Sequence, residues 1–99
     1  MQTHSITLGL NIPNAGSVTN QMWIDFLNVT VLASLEYATI TDSIGIYQGT
    51  LEKSKTISVT TADPAAVESL VKVGDAYKQQ FNQESVMYAV THVPILQFT

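Results

Sequence analysis

From Thr3 to Ile12 the chain alternates: His4, Ile6, Leu8, Leu10 and Ile12 stand against Thr3, Ser5, Thr7, Gly9 and Asn11. A period of two marks a strand with one face buried and the other bare. This segment therefore commits the chain to a sheet covered on one side. Pro13, Asn14 and Gly16 then supply turn chemistry, and the period changes. Trp23, Phe26, Leu27 and Thr30/Val31 recur as a helical stripe. Thr19 is placed as its N-cap, with Val18 and Trp23 at the spacing of a hydrophobic staple. Trp23 is read as core.

A second strand is expected from Tyr37 to Tyr47, with Ala38, Ile40, Ile44 and Ile46 on one face and Asp42 interrupting them. A third is expected from Glu52 to Thr60, with Ile57 and Val59 inward. Asp63-Pro64 is a helix start, an N-cap followed by proline at the first helical position. Val67, Leu70, Val71, Gly74, Tyr77 and Phe81 then share a helical face, and Gly74 is read as allowing close helix–sheet contact. A last strand begins near Ser85. Pro94 ends or displaces it, and Ile95 to Phe98 is expected as a short edge piece. The order βαββαβ predicts an α+β, ferredoxin-like sandwich spanning residues 1–99 as one domain. Its four-stranded antiparallel sheet carries two helices on one face, and right-handed crossovers put them there. The other face stays bare, which favours a partner subunit.

Composition removes several functions. The chain has four lysines and no arginine in a net charge of −4, whereas phosphate backbones are gripped by several basic side chains. Nucleic acid is therefore not an expected partner, and bidentate arginine clamps are impossible. Absence of cysteine rules out disulfides and thiolate metal sites. Charged residues make up 12%, about half the usual share, and mean hydropathy is +0.17. Some apolar surface is thus expected to meet another subunit. MQTHSITLGL does not read as a signal peptide, and no stretch approaches about 18 continuous apolar residues. A cytoplasmic protein without a membrane partner is expected.

The hairpin GIYQGTLEKS carries the candidate site. A two-residue turn at Gly49-Thr50, of type II′, sets Tyr47 opposite Glu52, followed by Gly45–Ser54, Ser43–Thr56 and Thr41–Ser58. The alternate set, Ile40–Val59, Asp42–Ile57, Ile44–Lys55 and Ile46–Lys53, lies under the helices. Tyr47 and Glu52 then meet on the bare face, close enough to act on one small molecule or simply to hydrogen-bond to each other. A carboxylate beside a phenol suits a general base, a partner for a cation, or a cation held over a ring face. The residues alone leave these open.

Other candidates are weaker. His4 and His92 approach each other if the first and last strands are neighbours, but two histidines make a poor zinc site. Ser17, Ser43 and Ser54 lack a His–Asp pattern. Asp42 needs a partner on its apolar face, with Lys55 or a hydroxyl the best placed. No metal and no cofactor are expected.

Two resemblances add to this reading. LGLNIP near the start, W-x-x-FL at Trp23–Leu27, E-x-SK at Glu52–Lys55 and AYKQQFNQESV from Ala76 to Val86 resemble a family of small bacterial and phage domains of unknown function. GIYQGTLEKSKTISV, a helix, and then NQESVMY are similar to the middle of phage S-adenosylmethionine-degrading enzymes, once called hydrolases and now lyases. That family's hairpin is longer, so its tyrosine and glutamate stand farther apart in sequence. The resemblance implies a PII-like homotrimer with the ligand between subunits. It also implies cleavage of S-adenosylmethionine to methylthioadenosine and L-homoserine lactone, by attack of the substrate's own carboxylate, with no metal or cofactor. By position, it implies catalytic roles for Tyr47 and Glu52 and substrate binding by Tyr47, Glu52 and Gln83, the last from a neighbouring subunit. The alternative is a non-enzymatic PII-like ligand-binding or structural oligomeric module on the same fold.

Overall fold

Strand β1 (Gln2–Gly9) is an inner strand of the sheet, and its alternation gives it one covered face: His4, Ile6 and Leu8 are buried and Thr3, Ser5 and Thr7 only partly so. The structure, a computed structural model, describes residues 1–94. The expected edge piece at 95–98 lies outside them. A two-stranded ribbon, β2 (Asn11–Ile12) and β3 (Gly16–Ser17), replaces the simple turn anticipated after β1. Helix α1 (Asn20–Phe26) follows, capped by the Thr19 side chain, which accepts from the Met22 N–H at 3.1 Å. It continues through a π-helical turn at Leu27–Val31 into the short α2 (Leu32–Ser34). Strands β4 (Thr39–Tyr47) and β5 (Thr50–Thr61) form the hairpin. Asp63 caps α3 (Pro64–Gln80), and β6 (Met87–His92) closes the sheet.

The order across the sheet is β4-β5-β1-β6, all pairs antiparallel. This is the ferredoxin-like α+β arrangement. Both helical segments bury their stripes against Ile6, Leu8, Ile57 and Val59. Phe26 is the hub, edge-on to Tyr77 and Phe81 with centroids at 5.3 and 6.0 Å. The α3 stripe is Leu70, Val73, Gly74 and Tyr77; Val71, expected on it, is 41% exposed. The difference is one step of the helical period, 100° around the axis. Gly74 does not owe its identity to crowding. A methyl group there would meet Ile6 and Val86 at 3.6–3.7 Å, ordinary contact.

The hairpin register differs from the expected one by two positions. Gln48 and Gly49 form the turn, both at positive φ (51° and 78°), as a type I′ hairpin requires. Tyr47 therefore faces Thr50, and Glu52 faces Gly45. Asp42 faces Lys55 rather than Ile57, and the two form an ion pair, while Lys55 Nζ lies 5.5 Å from the Trp23 ring centroid. A shift of two preserves which face each side chain occupies, so Tyr47 and Glu52 remain on the helix-free face, diagonal instead of opposite.

Candidate functional site

The helix-free face is built almost wholly from small hydroxylated residues. Thr3–Thr60 and Ser43–Ser54 hydroxyls meet at 2.7 Å and Thr7–Thr56 at 3.3 Å, so these six satisfy one another across strands. Among the described residues of β1, β4, β5 and β6, Glu52 is the only charged side chain on that face. It is half-buried at one end of the sheet.

Glycines flank it on both sides. Opposite Glu52 on β4 stands Gly45, above which there is open space for at least 4 Å. On β1, Gly9 lies beneath the carboxylate: a methyl group at Gly9 would fall 2.7 Å from Glu52 Oε1 and 3.1 Å from its Cδ. The same point is 3.4 Å from Gln83 Oε1. Glu52 and Gln83 of one chain are thus brought together over Gly9.

Local structure fixes which end of the Gln83 amide faces the site. Asn82 takes a positive φ of 53° past the end of α3, and the Gln83 N–H donates to the Lys78 carbonyl at 2.9 Å. This is a helix C-cap that turns the chain back. The Gln83 amide nitrogen then donates to the Asn11 and Phe81 carbonyls at 2.8 and 3.2 Å. Backbone carbonyls accept only, so the NH2 group must be the end turned toward them. The amide oxygen is left facing Glu52. Two acceptors lie near one point, and among the described residues no donor is hydrogen-bonded to either, an arrangement that suits a ligand group bearing N–H or O–H donors, preferably cationic.

Tyr77 lies next to this cluster. Its buried phenol donates to the Gly9 carbonyl at 2.6 Å. Burial, and after it the nearby Glu52 carboxylate, push the phenol far above its ordinary value of 10.0. It is therefore a neutral donor in the folded protein. Tyr47 is not in the cluster. It sits near the hairpin tip, 61% exposed, with Gly45 leaving the space between it and Glu52 unfilled.

Neither Gly9 nor Tyr77 was singled out from the sequence. Tyr77 reads as core, and Gly9 as one more polar-side position. The usable signal was a glycine inside an alternating strand, which marks a close approach. His4 takes a structural role: it pairs with Val90, not His92, and its Nδ1 is hydrogen-bonded to the Tyr88 hydroxyl. Among the described residues no group of three or more His, Asp or Glu could hold a metal ion, and no helix is long and apolar enough to cross a membrane. Two recesses, one beside Leu32, Tyr37 and Asp63 and one beside Asn20, Asp42 and Lys53, include neither Glu52 nor Gln83.

A comparison with curated proteins gives no match. Among solved structures, a phage SAM lyase in complex with S-methyl-5′-thioadenosine is 20% identical, with a TM-score of 0.65 over 91% of this chain and 79% of that one. A phage SAM lyase in the apo state is 22% identical, with a TM-score of 0.65 over 91% and 78%. The fold is that of the phage SAM lyases. The model of the family described as "Protein of unknown function (DUF3574)" matches residues 3–96, nearly the full length, and the chain belongs to that family.

Proposed function

We propose that the protein is an S-adenosylmethionine lyase. The observation that carries this reading is the pair of acceptors, Glu52 and Gln83, within 2.7 and 3.4 Å of one point over Gly9, on a face where Glu52 is the only charged side chain among the described residues. The fold shared with phage SAM lyases supports it. In the reaction, a carboxylate oxygen of the substrate's methionyl arm forms a bond to its own γ-carbon. The γ-carbon–sulfur bond breaks, and its electron pair leaves with sulfur as neutral methylthioadenosine. L-Homoserine lactone is the other product. No proton, water or metal enters the balance.

Such a reaction needs a conformer more than a reagent. Glu52 and Gln83 Oε1 accept from the α-ammonium of the methionyl arm. That contact draws the ammonium off the adjoining carboxylate and leaves the carboxylate free to attack. Tyr47, reached across the space above Gly45, offers its ring face to the sulfonium, a contact of about 0.5–2 kcal/mol depending on desolvation. The site of a single chain is open to water, and attack is favoured by excluding it. A PII-like homotrimer in the cytoplasm, with the bare sheet face and hairpin covered by neighbouring subunits, supplies that cover.

The test is incubation of purified protein with S-adenosylmethionine, with products followed by chromatography and NMR. Methylthioadenosine and the lactone are expected together, the lactone before homoserine. Methylthioadenosine at only the spontaneous rate refutes the proposal. Glu52→Gln, which keeps the shape and removes the charge, is expected to lower turnover about 100-fold or more with unchanged thermal unfolding.

A further inference from the structure

We propose that Gly9 is the floor of the Glu52 site and that Tyr77 is a positioning residue that sets the height of that floor. Position 9 then admits no side chain if Glu52 is to keep its place. The inference deepens the lyase reading and takes its kinetic arm from it.

Space, not backbone conformation, demands the glycine. Gly9 is not among the residues with positive φ. It ends β1 with its open side toward the helix-free face, where a methyl group would overlap Glu52 Oε1 at 2.7 Å. What it meets is the far end of a flexible side chain, so the fold can absorb the change by moving the carboxylate away. The expected consequence is therefore a folded protein with a misplaced Glu52.

The height of Gly9 is set from the other side of the strand. The Tyr77 ring is locked between Phe26 and Phe81, with centroids at 5.3 and 4.7 Å. Its hydroxyl grips the Gly9 carbonyl at 2.6 Å. Two residues on, the Gln83 amide holds the Asn11 carbonyl at 2.8 Å. The end of β1 is thus tied to α3 and to the loop after it, the segment that also delivers Gln83 Oε1. Tyr77 touches no ligand; it acts through Gly9.

The test uses wild type, Gly9→Ala and Tyr77→Phe, each below its melting temperature. Without ligand, the side-chain carboxyl 13C resonance of Glu52 is expected to move in both variants. With S-adenosylmethionine, Gly9→Ala is expected to lose about 100-fold in kcat/KM, the scale of a small misplacement of a reacting group. Tyr77→Phe is expected to lower kcat about tenfold with KM little changed, the mark of lost transition-state positioning. A Glu52 resonance unmoved in both variants overturns the proposal. So does a Tyr77→Phe activity that falls only in step with the folded fraction. If wild type turns over no S-adenosylmethionine, the lyase reading fails, and the ligand-free resonances alone decide for or against this one.

Discussion

Replacing Gln48 by glycine separates the two registers of the β4–β5 hairpin by the sign of its effect on stability. In the structure Gln48 sits at φ 51°, in the left-handed region, as the first residue of the type I′ turn. A side chain there costs about 1–2 kcal/mol. Glycine removes that strain but gives up about 0.5–1 kcal/mol of chain entropy. The net expectation is stabilisation by about 0.5–1 kcal/mol. Packing within the chain does not blur this figure, because Ile46, Tyr47 and Leu51 around the tip are 77%, 61% and 70% exposed on the single chain. For a domain of this size the gain corresponds to a rise in Tm of roughly 2–8 °C. Had the turn been Gly49-Thr50, Gln48 would be an extended strand residue, and glycine would destabilise by about 0.5–1 kcal/mol. Urea unfolding at constant m-value measures the difference, and NMR contacts across the hairpin check that Glu52 still faces Gly45. A lower urea midpoint for Gln48→Gly refutes the type I′ assignment, and with it the diagonal placement of Tyr47 and Glu52.

Further outcomes follow from the packing and from the buried phenol. Gly74→Ala is expected to stabilise by up to about 1 kcal/mol, since alanine is the better helix former and its methyl group meets Ile6 and Val86 at ordinary contact distance. Thermal unfolding checks this, and a loss of stability would mean that α3 sits closer to the sheet. The raised pKa of Tyr77 makes a prediction at high pH. The folded state favours the neutral phenol, so this contribution is fully present below the unfolded value near 10 and is lost as pH rises above it. Stability should fall by about 1.4 kcal/mol per pH unit from this group alone. Tyr77→Phe should flatten that slope above pH 10, and equal slopes in the two proteins would contradict a buried neutral Tyr77.

The faces of the sheet were legible in the sequence, and the register of its hairpin was not, for one physical reason. Parity survives a slip of two residues, so Ile40, Ile57 and Val59 fall on the helix side in either register. Turn chemistry alone favours Gly49-Thr50, where only a glycine takes a positive φ. What outweighs it is longer in range. The observed register sets Asp42 against Lys55, Ser43 against Ser54, and Ile46 against Leu51. Each such pair contributes about 0.2–1 kcal/mol relative to an alanine pair. Together they contribute about 0.6–3 kcal/mol, which offsets the cost of about 1–2 kcal/mol for one left-handed glutamine, whereas the alternative sets Asp42 against Ile57 and Ile46 against Lys53.

The same distinction governs the candidate site. Glu52 stands out as a lone charge once the bare face is drawn, because only its own strand parity is needed. Gln83 is 31 positions away in the chain and enters only through the turn at Asn82. From the residues alone nothing brings it to the end of β1; the family resemblance singled it out. Gly9 lies at the meeting point, and its cost is visible without the structure. A glycine in a strand gives up entropy and cross-strand packing, and its neighbours Leu8 and Leu10 show that the strand is otherwise built to pack. On a face where serine and threonine fill the positions before it, one more hydroxyl would fit the local pattern equally well. The absence of a side chain at position 9 is explained by what comes over it from β5 and from the loop after α3, which places the constraint in the site and not in the strand.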